Sequence, residues 1–252
     1  MTTKNKEKYE GKVFSTKFSG DFRVVEYINY DTVNIEFLKT GYNIWTSIKE
    51  VQSGYIKDRM LPSVFGVGVI GNEVSKSGKK LDKDYSLWVN VLRRCYNPTS
   101  WVKHPTYQEC EVSESFKYYP YFKEWCQNQI GFNRKGWQLD KDILVKGNKV
   151  YSEDTCCFVP REINVLFTLR QNDRGNFPIG VTIDKRGGRY FAQINIRGSR
   201  KKFGYSDTPE EAFYAYKQAK EAYIKEVAEE WKSEIDPRVY NALINYEVEI
   251  TD

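Results

Sequence analysis

With 252 residues, 40% of them hydrophobic and 29% charged, the chain has a globular composition and room for two or three small cores. No apolar run nears the roughly 20 residues of a membrane span, and the charged opening at 1–8 lacks a signal-peptide pattern, so a cytoplasmic protein is expected. Five cysteines, an odd number with no C-x-x-C pair, and a single histidine read as reduced thiols and argue against structural zinc.

Residues 9–71 hold short strand patterns at 12–14, 22–27, 33–37 and 44–48, separated by the turn signals Gly20-Asp21, Asn29-Tyr30-Asp31 and Thr40-Gly41. Strands this short and closely spaced predict a small β-barrel. Tyr27, Tyr42 and Trp45 are its aromatic candidates, for base stacking or for packing. The polar stretch 72–84 reads as a linker. Asp84 is then expected to cap a helix carrying Tyr85, Trp88, Leu92 and Cys95 on one face and ending at Asn97-Pro98. Arg93 and Arg94 near its end are candidate phosphate contacts. A second helix over 120–129 is expected to bury Tyr121, Phe122 and Trp125.

Leu139, Ile143 and Val145 favour strand, Gly147-Asn148 signals a turn, Cys156 to Val159 is a short apolar run, and Pro160 suits the first turn of a helix. Asp140 falls near the end of the first strand and Asn164 one turn into the helix. A carboxylate and an amide oxygen brought together in this way suit a hard divalent ion such as Mg²⁺. Together with Arg94-Cys95-Tyr96-Asn97-Pro98, Pro105-Thr106-Tyr107, Cys110 to Val112, Tyr151-Ser152 and Asp154-Thr155-Cys156, this segment resembles the HNH (ββα-metal) nucleases. The likeness is strongest to the homing-type endonucleases of phages. It covers roughly residues 85–168, and the strands of 9–71 look similar to the small Src-homology-type barrels that precede such domains.

The resemblance implies a central ββα-metal domain over 84–168 that hydrolyses DNA phosphodiesters with Mg²⁺ or Mn²⁺. Asp140 and Asn164 fall on the metal-ligand positions, and Asn148 shapes the loop. The family's general-base histidine is replaced here by Lys141, and its loop asparagine by Thr155. An ordinary lysine is protonated at neutral pH. Proton transfer is therefore open among Lys141 tuned by burial and a neighbouring cation, His104, and a metal-activated water oriented by Asp142 or Asp154. An HNH scaffold that binds DNA without cutting it is the alternative.

From 178 onward the chain predicts three antiparallel strands at 180–183, 189–196 and 202–205, with turns at Arg186-Gly187-Gly188 and Arg197-Gly198-Ser199. A helix follows, capped by Thr208 with Glu211 reaching back and Pro209 at its first position, and lined by Ala212, Tyr216, Ala219, Tyr223 and Val227. Residues 169–205 carry nine Lys/Arg against two Asp/Glu, whereas 206–252 carry five against twelve. A basic block on strands beside an acidic helical tail suggests a polyanion face.

Gly180-Val181, Tyr190 to Ile194, Lys202 to Tyr205 and Pro209 to Ala212 resemble the Apetala-type (ethylene-response-factor) DNA-binding domain, here 176–232 with an acidic tail. That likeness implies a sheet face in the major groove of double-stranded DNA, with Arg186, Arg189, Gln193, Asn195, Arg197 and Lys202 as contacts. Strand alternation supports part of the set, placing Arg189, Gln193, Asn195 and Arg197 opposite Tyr190, Ala192, Ile194 and Ile196. Arginine and glutamine suit guanine and adenine edges, and lysine mostly meets phosphate. The expectation is a mixed α+β, DNA-binding chain with no membrane partner. A non-catalytic DNA-binding regulator and a phage factor that docks on a host protein through its aromatics are the rival readings.

Overall fold

The computed structural model describes residues 2–73, 76–77, 80–167, 177–184 and 186–252, with backbone alone at 2, 3, 76, 77 and 80. Residues 169–176 and 185 of the basic block, parts of the expected linker, and the expected domain ends at 168 and 176 lie outside the described residues. With 37% helix and 25% strand the chain is mixed α+β, as expected. Among the described residues no helix is long and apolar enough to cross a membrane. The chain divides into two compact units, 1–125 and 126–252, so the expected central domain is shared out between them.

The first unit opens with α1 (Thr2–Tyr9), β1 (Val13–Ser15), β2 (Asp21–Asn29), β3 (Thr32–Phe37), β4 (Asn43–Thr46) and α2 (Ile48–Ser53). The strands form an antiparallel meander in chain order, with β1 and β4 at its edges, and not a closed barrel. The reason lies at the end of β4. Ser47 accepts a hydrogen bond from the Glu50 amide and starts a helix, so Ile48 begins α2 instead of extending a strand that could close the ring. In β3, Val33, Ile35 and Phe37 point inward at every second residue and meet Phe22, Val24 and Ile48 in one core. Tyr27 and Tyr42 belong to that core, so among the three aromatic candidates only Trp45 is exposed.

Next come β5 (Lys76–Ser77), β6 (Lys80–Leu81), α3 (Lys83–Tyr96), α4 (Pro98–Lys103), β7 (Glu111–Val112), α5 (Glu114–Lys117) and α6 (Tyr119–Gln127). The N-cap of α3 is Asp82, ahead of the expected Asp84. Asp84 is instead buried inside the first turn, where its Oδ1 accepts from the Tyr119 hydroxyl at 3.0 Å. Of the expected face, Trp88, Leu92 and Cys95 are buried, joined by Val91, whereas Tyr85 is half-buried. The Trp88 ring lies 5.3 Å from that of Tyr119, and its indole N–H donates to the Phe116 carbonyl at 2.7 Å. Phe122 and Trp125 are buried as expected, whereas Tyr121 is exposed.

The second unit contains β8 (Trp137–Asp140), β9 (Val150–Tyr151), β10 (Cys157–Pro160), α7 (Arg161–Leu166), β11 (Val181–Ile183), β12 (Tyr190–Ile196), β13 (Ser199–Ser206), α8 (Pro209–Trp231) and α9 (Pro237–Ile244). β8 pairs antiparallel with β10, Asp140 opposite Cys157, and α7 follows, completing the expected strand–strand–helix order. Ile143 and Val145 fall in the intervening loop, not in a strand, and Pro160 is the N-cap of α7, one position before its expected place. β11, β12 and β13 form the expected antiparallel sheet. Thr208 caps α8 by accepting from the Glu211 amide. Ile143, Cys157, Val159 and Ile163 share one core with Val181, Ala192, Ile194, Tyr216, Ile224 and Val227. The strand–strand–helix element and the sheet-and-helix element are therefore packed as one body.

Gly180 shows how tight that packing is. Its φ is +74°, and an added Cβ would stand 2.1 Å from the Tyr216 ring. Gly180→Ala is expected to destabilise this unit by at least about 1–3 kcal/mol, from overpacking and a left-handed backbone together. Thermal denaturation of the variant measures it, and an unchanged midpoint would refute the packing.

Candidate functional site

The candidate metal residues sit where β8 ends. Asp140 Oδ1 accepts from the backbone amides of Asp142 (2.7 Å) and Ile143 (2.8 Å), so one carboxylate oxygen caps the turn that leaves the strand. Oδ2 makes no hydrogen bond among the described residues. Burial pushes the Asp140 carboxyl up from its ordinary value, against the two amides, which pull it down. Asn164 lies within α7 and donates from Nδ2 to Gln138 Oε1 at 2.6 Å, leaving its own Oδ1 without a described partner. Gln138 and Asp140 are two apart on one strand, so their side chains share a face about 7 Å apart along it. Asn164 is thus docked beside that face through Gln138, a residue that no sequence motif singles out.

Lys141, just past the end of β8, is buried. Its Nζ donates to Asp142 Oδ1 and to the Asn148 carbonyl, both at 2.6 Å. Asn148 returns the contact, donating from Nδ2 to the carbonyls of Lys141 (2.8 Å) and Val150 (2.7 Å). Thr155, on the family's asparagine position, donates to the Val150 carbonyl at 2.7 Å. Asn148 and Lys141 thus tie the two sides of the loop together. Through its two bonds Lys141 clamps Asp142 to the Asn148 carbonyl across the loop. Lys141→Met is expected to cost about 1–3 kcal/mol by orphaning the Asn148 carbonyl, with faster amide hydrogen exchange over 141–150. Exchange unchanged from wild type would refute the clamp. Asp154 is exposed, and Asp142 is engaged by Lys141.

His104, Arg93 and Arg94 belong to the first unit. His104 is exposed at the end of α4, with its ring 6.1 Å from that of Tyr107. Arg93 is exposed near the end of α3, and the Arg94 guanidinium lies 5.3 Å over the Tyr107 ring.

The candidate DNA face is built by the register of β12 and β13. Arg197 (φ +49°) and Gly198 (φ +79°) form a two-residue hairpin turn, shorter than expected, so β13 begins at Ser199. Gln193 then stands opposite Lys202, and Asn195 opposite Arg200. Directly opposed residues project to the same side. Ala192 and Ile194 join the core with α8, so these four face away from it. The side chains of Gln193, Asn195, Arg200 and Lys202 have no hydrogen-bond or ion-pair partner among the described residues. The Lys202 ammonium lies 4.8 Å over the Phe191 ring, which packs 5.4 Å from Tyr205.

Two expected contacts behave differently. The Arg197 guanidinium reaches back to Glu226 (3.1 Å) and Glu230 of α8. Arg189 precedes β12 and pairs with Asp207 at 3.0 Å. That second pair is exposed and so is worth at most about 1 kcal/mol, little enough for a phosphate to displace. Arg186 is exposed in the turn before β12. Arg200 is absent from the residues expected from sequence because its direction depends on the length of the hairpin turn. The arginine-glycine pair, taken as a two-residue turn, is the signal that would have found it.

Searches of protein-family models, curated proteins and solved structures return no match to this chain.

The residues themselves must then carry the functional reading. Among the described residues no three His, Cys, Asp or Glu side chains converge as metal ligands. The oxygen pair at β8 and α7 holds one carboxylate and one amide. Such a set fits a hard divalent ion that keeps most of its own waters, because Asp140 Oδ2 and Asn164 Oδ1 both lack protein donors among the described residues. It does not fit zinc held by sulfur and imidazole. Cys156 and Cys157 are buried, and burial pushes the Cys156 thiol up to about 12, so neither supplies a thiolate at neutral pH.

Proposed function

We propose that this protein binds double-stranded DNA through the outer face of β12 and β13 and hydrolyses a phosphodiester at the β8–α7 site. The observation that carries this reading is the row Gln193–Lys202 and Asn195–Arg200. It sets two amides able to read base edges beside two cations able to meet phosphate or guanine. No acidic side chain belongs to this row. The reading agrees with the phage HNH endonuclease and Apetala-type resemblances, and with a cytoplasmic location for a chain whose five cysteines are all buried thiols.

Asp140 and Asn164 would hold a Mg²⁺ or Mn²⁺ ion through Oδ2 and Oδ1. When bound, such an ion stabilises charge on the phosphate and on the leaving oxygen. The chain's own part is to hold the strand end with Asp140 Oδ1, to orient Asn164 through Gln138, and to brace the loop with Lys141 and Asn148. With Lys141 engaged as a donor, Asp142 or Asp154 of the same unit would orient the attacking water. The second reading is a DNA-binding protein without cleavage, favoured by that engagement of Lys141. Fluorescence anisotropy with duplex DNA, run beside plasmid nicking in Mg²⁺ or Mn²⁺, tests both. Salt-sensitive binding with nicking is expected. Binding without nicking selects the second reading, and no binding overturns both.

A further inference from the structure

Residues of α7, β12, α8 and the segment after α9 line a cavity of about 740 Å³, within the range that takes a small-molecule ligand. Its charge is unbalanced in one direction. Arg161, Arg200 and Lys220 line it and have no ion pair among the described residues. Of the two acids that line it, Asp252 pairs with Lys146 at 2.7 Å, and Glu162 accepts from the neutral Trp231 indole N–H at 3.3 Å, which leaves one carboxylate against three cations. Lys220 lies mid-way along α8, and burial alone pulls its ammonium down to about 8. A cation desolvated without a counter-charge is costly, and an anion entering the cavity would relieve it. The walls include Tyr216, Tyr223 and Tyr246, and the Tyr216 ring is fixed against Gly180. A cavity that joins cations to aromatic faces suits a ligand with an anionic end and a flat ring.

We propose that this cavity binds a nucleotide, its terminal phosphate received by Lys220 and Arg161 and its base by the tyrosine-lined wall. The proposal deepens the DNA-binding reading above, because Gln193, Asn195 and Arg200 border both the cavity and the reading face. The same chemistry has two sources, a free nucleoside monophosphate and the 5′-phosphorylated end of a DNA strand.

Titration calorimetry on the whole protein distinguishes them. The probes are deoxynucleoside monophosphates and tetranucleotides with and without a 5′-phosphate. Wild type is expected to bind at least one phosphorylated probe with Kd below about 1 mM, and the unphosphorylated strand at least tenfold more weakly. Lys220→Met, which keeps the apolar stem, is expected to weaken phosphorylated probes at least tenfold while duplex binding stays within twofold. Arg161→Ala, an exposed change, should act in the same direction. On wild type, the bound probe should protect Lys220 from acetylation, read by mass spectrometry. Tighter binding of the monophosphate assigns the cavity to a free nucleotide, and tighter binding of the phosphorylated strand assigns it to a DNA end. No binding of any phosphorylated probe overturns the proposal, as does no protection of Lys220, even if duplex DNA binds normally. Nucleotide binding without duplex binding would sink the DNA reading and leave the cavity assignment standing.

Discussion

Asp140→Asn is expected to lower metal-dependent DNA cleavage by more than about 100-fold, the most that removing an outer-shell partner typically costs a metal site. Duplex affinity should hardly change. The asparagine oxygen still accepts from the amides of Asp142 and Ile143, so the turn stays capped. What disappears is a carboxylate that burial disfavours. Because its folded pKa lies above the ordinary value, this group's contribution to stability is fully present below the unfolded pKa. That contribution is lost as pH rises through the folded pKa. The metal-free variant at neutral pH should therefore melt no lower than wild type, and its stability should depend less on pH through the carboxylate range. Asp140→Ala removes the cap as well and should melt lower. Nicking assays beside thermal melts at pH 4 and pH 7 provide the check. Cleavage that survives Asp140→Asn would remove this residue from the chemistry.

A second large effect is expected from Arg200→Ala combined with Lys202→Ala. These two cations have no acidic partner among the described residues, so their full charge is available to DNA. Truncating an arginine that reads a base costs about 1–3 kcal/mol, and each phosphate left unneutralised flattens the salt dependence by about 0.9 in log–log slope. The pair should weaken duplex binding by about 30-fold or more and reduce the slope by roughly one to two. Arg197→Ala should have far less effect, since Glu226 and Glu230 hold that guanidinium against α8. Anisotropy titrations between 50 and 200 mM salt compare them. If the Arg197 variant loses binding and the Arg200/Lys202 pair does not, the contact surface is the hairpin tip and not the sheet face.

The parts of this fold legible in the sequence are those coded by short-range chemistry. Thr208-Pro209 with Glu211 marked the start of α8, the alternation through 190–196 marked β12, and Asn97-Pro98 marked the end of α3. Other features depend on residues distant in sequence. Asp84 looks like a cap until Tyr119, 35 residues on, is seen to donate to it. Lys141 looks like a base displaced by one substitution until the Asn148 carbonyl arrives to accept from it. Gln138 and Lys220 carry no local motif. Gln138 matters through Asn164, and Lys220 through the cavity it lines. The division of the chain was also hidden, because Cys157, Val159 and Ile163 bury themselves against residues more than 20 positions downstream.

That shared core sets a length as well as a stability. Had the element bearing Asp140 been tethered to the sheet by a slack linker, a cut could fall anywhere within the tether's reach. Here Val159 and Ile163 sit in the same packed interior as Ala192 and Ile194, so the core acts as a ruler. On the endonuclease reading, strand scission should fall at one fixed count of base pairs from the bases contacted by Gln193 and Asn195. Mapping the nick on end-labelled DNA should yield a single band, not a ladder.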